Sequence, residues 1–310
     1  MSTTLAASSL LASVSDELAG AVEHAGSAVV TVDARHRHPA SGIVWTGDGL
    51  IATANHVVER DEEIEIGLPD GRTASATLLG RDPGSDLALL RIDASDVAPL
   101  TRSAVEPRVG HLTLAIGRPG PSGAMASLGV VTAVGGPLRF RGGASLERYV
   151  RADVAMLPGF SGGPLVDSTG NLIGLNSSTL GRAGQLTVLA ESIDATVQTL
   201  LQHGRVRRGY LGVGAQGVRL PDTLAQALGN GQEQGLLIVS VETGGPADTA
   251  GLMLGDVILA IDGDQVHEVE QLQERLSGER VGATVPVRIA RGGEPRDIGV
   301  PIGERQRQAE

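Results

Sequence analysis

PGFSGGPLV, residues 158–166, sets a serine among glycines in a turn that leads into an apolar run. Gly159, Gly162 and Gly163 carry no side chain, so the backbone around Ser161 can curl until successive amides point into one space. A tetrahedral oxyanion needs such amides, and those of Gly159 and Ser161, flanking Phe160, are the candidates. By itself a G-x-S-x-G pattern decides little among 44 glycines, because a plain turn between two strands has the same signature. It also fits the nucleophile elbow of an α/β-hydrolase. Chain order separates these readings, since in the hydrolase order the acid and the histidine follow the serine. The later histidines have structural explanations: His203 falls in the last turn of a helical stretch, where a cation is favoured, and His267 lies beside a turn. Upstream, by contrast, GDGLIATANHVV puts His56 just after a strand, and DPGSDLALLRI puts Asp86 at the entrance to another.

Around these segments, from Ser27 to about Thr187, run short β-branched stretches divided by turn residues: SAVVTVD, GLIATA, EIEIGLPDG, HLTLAIG, SLGVVTAV, RYVRADV, PLVDSTG and LIGLNS. Many short strands at close spacing predict barrels or sandwiches. Before them, Leu10, Val14, Leu18 and Val22 recur every fourth residue and predict an amphipathic helix, with Ser13, three before Asp16, as its cap. After them, Ile193, Val197, Leu200 and Leu201 form the stripe of a second helix that ends at Gly204. The chain therefore divides into an N-terminal extension (1–26), a first domain (27–203), a polar linker (204–208), a second domain (209–303) and a polar tail (304–310). The second domain shows strands near Leu236–Val241, Val257–Ile261 and Val285–Ile289, and a helix with Val269, Leu272 and Leu276 on one face.

Composition excludes several classes of function. A hydrophobic content of 41% over 310 residues suits about two globular domains, and aromatics at 2% leave packing to Val, Leu, Ile and Ala. All 25 basic residues are Arg and the net charge is -11, so no basic face is available for nucleic acid. Without cysteine there is no disulfide or thiolate site. His36 and His38 lack carboxylate partners on their loop, and no phosphate loop occurs, so neither metal nor cofactor is expected. No run reaches the roughly 18 apolar residues of a membrane span. The first twenty residues lack the basic n-region of a signal peptide, which predicts a cytoplasmic protein; a misassigned start would instead allow the periplasm or cell envelope.

ATANHVV, RDPGSDLALLRI and PGFSGGPLV, in this order, resemble the three triad segments of the HtrA/Deg serine proteases. The resemblance implies a mostly β fold, a trypsin-like double six-stranded β-barrel followed by a PDZ domain. It makes Ser161 the nucleophile, His56 the general base and Asp86 the group that holds the imidazole tautomer. An imidazole of ordinary pKa about 6.5 predicts activity rising through roughly pH 6 to 7. The oxyanion hole falls to Gly159, Phe160 and Ser161. The pocket falls to Ala155, Met156, Thr179 and Leu180, with Ser177, Ser178 and Thr179 pairing their backbone with an extended substrate. Six residues before the nucleophile, where basic-specific relatives of this fold carry an acid, stands Ala155, which predicts cleavage after small to medium apolar residues.

The resemblance extends to GYLGVGAQ, GLLIVSVETGGPADTAGLMLGDVILAIDG and VEQLQERL, which look like a bacterial PDZ domain. There Tyr210 precedes the amides of Leu211, Gly212 and Val213, which cradle a peptide's C-terminal carboxylate. Implied partners are unfolded proteins or peptides, C-terminal peptides at the PDZ groove, and two further copies of the chain in a homotrimer. Three departures stand out. Phe160 replaces the family's usual Asn, LTVLAESI replaces its Gly-Phe-Ala-Ile-Pro run, and the insertion ARHRHPASG is short. Phe160 leaves open a second reading, a proteolytically weak or inactive chaperone in which that side chain holds the oxyanion hole collapsed.

Overall fold

The protein is described by a computed structural model covering residues 2–36, 38–93, 96–139, 145–180, 185–207, 209–229, 231–276 and 280–304; the polar tail beyond Glu304 and linker residue Arg208 lie outside the described residues. The described residues form two compact units, one running to Val206 and one beginning at Arg207.

The first unit is built on two closed six-stranded barrels. Strands β1 (Val29–Asp33), β2 (Ala40–Thr46), β3 (Leu50–Ala54), β4 (Ile64–Gly67), β5 (Thr73–Asp82) and β6 (Leu87–Ile92) close in the order β1-β2-β3-β6-β5-β4. Then come β7 (Leu112–Gly117), β8 (Met125–Gly135), the short pair β9 (Leu138–Arg139) and β10 (Ser145–Leu146), β11 (Tyr149–Ala152), β12 (Pro164–Asp167), β13 (Leu172–Ser177) and β14 (Leu186–Leu189). The second barrel closes as β11-β14-β13-β12-β7-β8. Burial reflects the composition. Ile43, Ile51, Ile66, Leu89 and Leu90 fill one core, while Val131, Val150, Leu165 and Phe160 fill the other.

Helix α1 (Ser2–Gly26) is longer than the cap at Ser13 predicts, and that residue lies mid-helix with its hydroxyl 3.5 Å from Glu17. Only the C-terminal half of its stripe packs. Leu18 and Val22 rest on the core beside buried Ala21 and Ala25, whereas Leu10 and Val14 are exposed. Arg118 fastens this end, donating to Gly26 O at 2.9 Å and Val29 O at 2.7 Å. Burial holds its guanidinium pKa below the ordinary value. Helix α2 (Ala190–His203) ends as the sequence predicts, with Gly204 left-handed at φ 69° and its amide on Leu200 O. Ile193, Val197 and Leu200 are buried, but Leu201 is 44% exposed, because the face in contact with the barrels is narrower than the apolar stripe.

In the second unit β15 (Gly209–Tyr210) pairs with β22 (Gly303–Glu304). The main sheet runs β16 (Val213–Arg219), β17 (Gln234–Val241), β18 (Val257–Ile261), β20 (Thr284–Arg291) and β21 (Glu294–Pro301), with β19 (Asp264–Gln265) beside β18. Among the described residues three α-helices accompany it, α3 (Asp222–Leu228), α4 (Pro246–Thr249) and α5 (Val269–Arg275). β16 is the edge strand and α5 lies against it. A capping box between Glu268 and Gln271 starts α5.

Candidate active site

Strand register brings His56 to Asp86. β3 pairs with β6 so that Ala54 faces Leu87, which sets the short turn Asn55–Val57 against the residue just before β6. Asp86 adopts φ 55°, a left-handed backbone that Asp tolerates better than most residues. From there its backbone carbonyl accepts the Asn55 amide at 2.9 Å, Oδ1 accepts the His56 amide at 2.9 Å, and Oδ2 sits 2.7 Å from His56 Nδ1. The carboxylate is buried and the imidazole partly open. This arrangement assigns the proton on Nδ1 to the Asp86 bond and leaves Nε2 as the acceptor.

The second barrel supplies the serine. Ser161 occupies the turn between β11 and β12, beside β13 because Pro164 pairs with Leu175. Ser161 Oγ donates to Ser178 Oγ at 2.9 Å, and Ser178 Oγ lies 3.5 Å from His56 Nε2. The hydroxyl, the imidazole and the carboxylate therefore form one chain, with Ser178 between the first two.

The turn is held from several directions. Gly162 has φ 86°, and a Cβ there would collide with Ser41 O and Thr53 Oγ1. Gly162 donates to Asn176 O and Gly163 to Phe160 O. Phe160 is fully buried in the second barrel's core, so its side chain serves packing. Gly117 makes that possible, since a Cβ there would stand 2.5 Å from the ring. With that ring fixed, the amides of Gly159 and Ser161 on either side have no acceptor among the described residues.

The other candidates divide. Ser177 Oγ donates to Asp86 Oδ2 at 2.5 Å, and Thr179 Oγ1 does so at 3.0 Å while lying 3.2 Å from His56 Nδ1. Side-chain hydroxyls assigned to a pocket thus support the acid. Ala155 is exposed with its amide on Ser127 Oγ, Met156 packs partly against the second core, and Leu180 is buried in the larger one.

Two family models match the chain, a trypsin-like peptidase domain over residues 40–175 and a PDZ domain over 209–302. The HtrA-type protease AlgW, solved with a decapeptide, is 30% identical with a TM-score of 0.73, the match covering 94% of this chain and 99% of that one. The chain belongs to the HtrA family of serine proteases. A serine endoprotease from Yersinia pestis is 28% identical with a TM-score of 0.75, over 93% of this chain and 98% of that one. A probable periplasmic serine endoprotease, DegP-like, of Halomonas elongata is 35% identical over 85% of this chain. This HtrA chain spans 56% of the length of that relative.

The names correct one expectation. The Halomonas protein and those of Hahella chejuensis and Rhizobium meliloti are all named periplasmic, against the cytoplasmic location read from the first twenty residues. Within that stretch, residues 2–20 lie in α1.

In the PDZ unit, Gly212 has φ 81°, and the carbonyls of Leu211 and Gly212 accept the amides of Ala247 and Glu242, both at 2.8 Å. The amides of Leu211 and Gly212 have no acceptor among the described residues, and they stand at the head of the open edge of β16. Leu211, Leu272 and Leu276 are buried beside partly buried Val213 and Val269 in one apolar cluster that joins β16 to α5.

Proposed function

We propose that this chain is an ATP-independent serine endopeptidase acting on unfolded or damaged proteins, with a PDZ unit that recognises peptide C-termini. The observation that carries the reading is the 2.7 Å contact between His56 Nδ1 and the buried Asp86 carboxylate, with Nε2 directed to the Ser178–Ser161 hydroxyl pair. Ser161 Oγ attacks the scissile carbonyl carbon while its proton passes to His56 Nε2. Negative charge on the former carbonyl oxygen is met by the amides of Gly159 and Ser161. Collapse of that intermediate breaks the C–N bond as His56 returns the proton to the leaving amine. Water, deprotonated by the same imidazole, then releases the acyl group.

Substrate preference follows from chemistry around the turn. Ala155 offers no counter-charge and Met156 and Leu180 are apolar, which supports cleavage after small to medium apolar residues. β13 runs into Ser177, Ser178 and Thr179, whose backbone supports pairing with an extended peptide. AlgW, solved with a decapeptide, supports peptide ligands for this chain too. We extend the periplasmic setting from the named relatives and a homotrimeric assembly from the family resemblance. The idle-chaperone reading is not favoured, since the Phe160 side chain lies in the barrel core and the amides beside it have no acceptor among the described residues.

Casein hydrolysis by wild type, abolished in Ser161→Ala, is the expected result, with a fluorophosphonate labelling Ser161 alone. Equal inactivity of wild type and variant overturns the proposal.

A further inference from the structure

Ser41 is a buried serine in the strand ASGIVWT, whose other buried residues are apolar or glycine, and nothing in the triad uses it. Every polar atom it has is engaged. Its hydroxyl donates to Gly159 O at 2.7 Å and accepts the Arg118 amide at 2.8 Å. Its own amide donates to Ser161 O at 3.2 Å, and its carbonyl accepts Thr53 Oγ1 at 2.7 Å. Arg118 is fixed in turn, its carbonyl accepting Thr31 Oγ1 at 2.8 Å. A hydroxyl has a single hydrogen to give, and here it goes to the carbonyl two residues before the nucleophile.

That carbonyl belongs to the peptide plane between Gly159 and Phe160. The other end of the plane, the Phe160 amide, donates to Leu157 O at 3.0 Å. Held at both ends, the plane cannot rotate, and the backbone that carries the Gly159 and Ser161 amides on either side of it is held with it. Gly159, at φ 83°, has the freedom that would otherwise allow a flip. Phe160 anchors the turn through its side chain. Ser41 is the polar counterpart, reaching across from the first barrel.

We propose that Ser41 is a positioning residue for the oxyanion hole, fixing the Gly159–Phe160 peptide so that two amides point at the developing charge. The inference rests on the protease reading above. It distinguishes transition state from ground state, because the hole has little to bind until the carbonyl becomes tetrahedral. Outright loss of one oxyanion donor costs about 10²–10³ in kcat. Loosening the plane without deleting an amide gives less, about tenfold to a hundredfold.

The test compares wild type with Ser41→Ala on an apolar peptide substrate. Affinity is also measured for a peptide boronate, which forms a tetrahedral adduct on Ser161, and for the uncleaved peptide in a Ser161→Ala background. The expected result is a kcat lower by about tenfold to a hundredfold, boronate affinity lower in parallel, and KM and uncleaved-peptide affinity changed by less than about threefold. If Ser41→Ala does not fold, Ser41→Cys, which fills the same space with a weak donor, carries the same prediction. Unchanged kcat and boronate affinity in whichever variant folds, beside an active wild type, overturns the role of Ser41 alone. An equal loss of boronate and uncleaved-peptide affinity does so too, because it marks general disruption. A wild type without turnover removes the protease reading and this inference with it.

Discussion

Replacing Gly117 by Ala tests how far the catalytic turn depends on the barrel core. The added Cβ would stand 2.5 Å from Phe160 Cδ1 and 3.0 Å from Cγ and Cε1. Carbon atoms rest at about 3.5–4.0 Å, so the ring must retreat by about an ångström. It has nowhere to go, because Phe160 is fully buried among Val131, Leu165 and Ile173. Overpacking of this kind costs about 1–3 kcal/mol. Since the ring is attached between Gly159 and Ser161, its retreat also drags the amides, and an ångström of misplacement in a catalytic array costs on the order of 10² in rate. Urea unfolding and peptide hydrolysis should therefore fall together in Gly117→Ala. Adding Phe160→Leu, which deletes the ring atoms that collide, should recover part of both, with a coupling energy of about 1–2 kcal/mol in the double-mutant cycle. Gly117→Ala with wild-type stability and turnover, or strictly additive effects, refutes the reasoning.

Three further outcomes can be checked. In the structure the Ser161 hydrogen is given to Ser178, not to His56, so Ser178→Ala should free it; one neutral hydrogen bond of about 0.5–1.5 kcal/mol predicts fluorophosphonate labelling about two- to tenfold faster, and slower labelling would make Ser178 a proton relay instead. In the PDZ unit, burial raises the Asp256 pKa, but the Arg291 fork at 2.8 Å and the Met253 amide outweigh it and hold the carboxyl below its ordinary value. The bond therefore stabilises above the ordinary carboxyl range and fades as pH falls through the lowered folded value, so Asp256→Asn should lose about 1.5–3 kcal/mol at neutral pH in the PDZ unfolding transition and flatten its dependence below about pH 4. Trp45 Nε1 donates to Asp194 at 3.0 Å, and Arg102 lies 3.7 Å above its ring; Trp45→Phe should destabilise the first unit by about 1–2 kcal/mol in urea, and wild-type stability would show the α2 attachment to be redundant.

The candidate triad was legible because each member sits in a short local signature: a histidine just after a strand, an aspartate at the entrance to another, a serine between glycines. The hydroxyls around it were not, because they depend on which strands become neighbours. Ser177, Ser178 and Thr179 read as a substrate-pairing strand, yet closure of the two barrels aims their side chains at Asp86, His56 and Ser161. Ser41 left one visible trace, a hydroxyl in an apolar strand, but its partners Gly159 and Arg118 are distant in sequence. β5 went unread because Thr73–Asp82 alternates small and polar residues without an apolar run. The short α3 and α4 carry too few turns for a stripe to register.

The unpaired margin of β16 has a bearing on solubility. A row of free amides and carbonyls invites any extended chain, including one from a neighbouring molecule, to join the sheet. Here the row is interrupted, since pairing slips between Gly214 and Ala215 and the strand is followed by Pro221. A short extended chain can pair along part of it, whereas a long flat strand meets a kink, which works against edge-to-edge stacking of molecules.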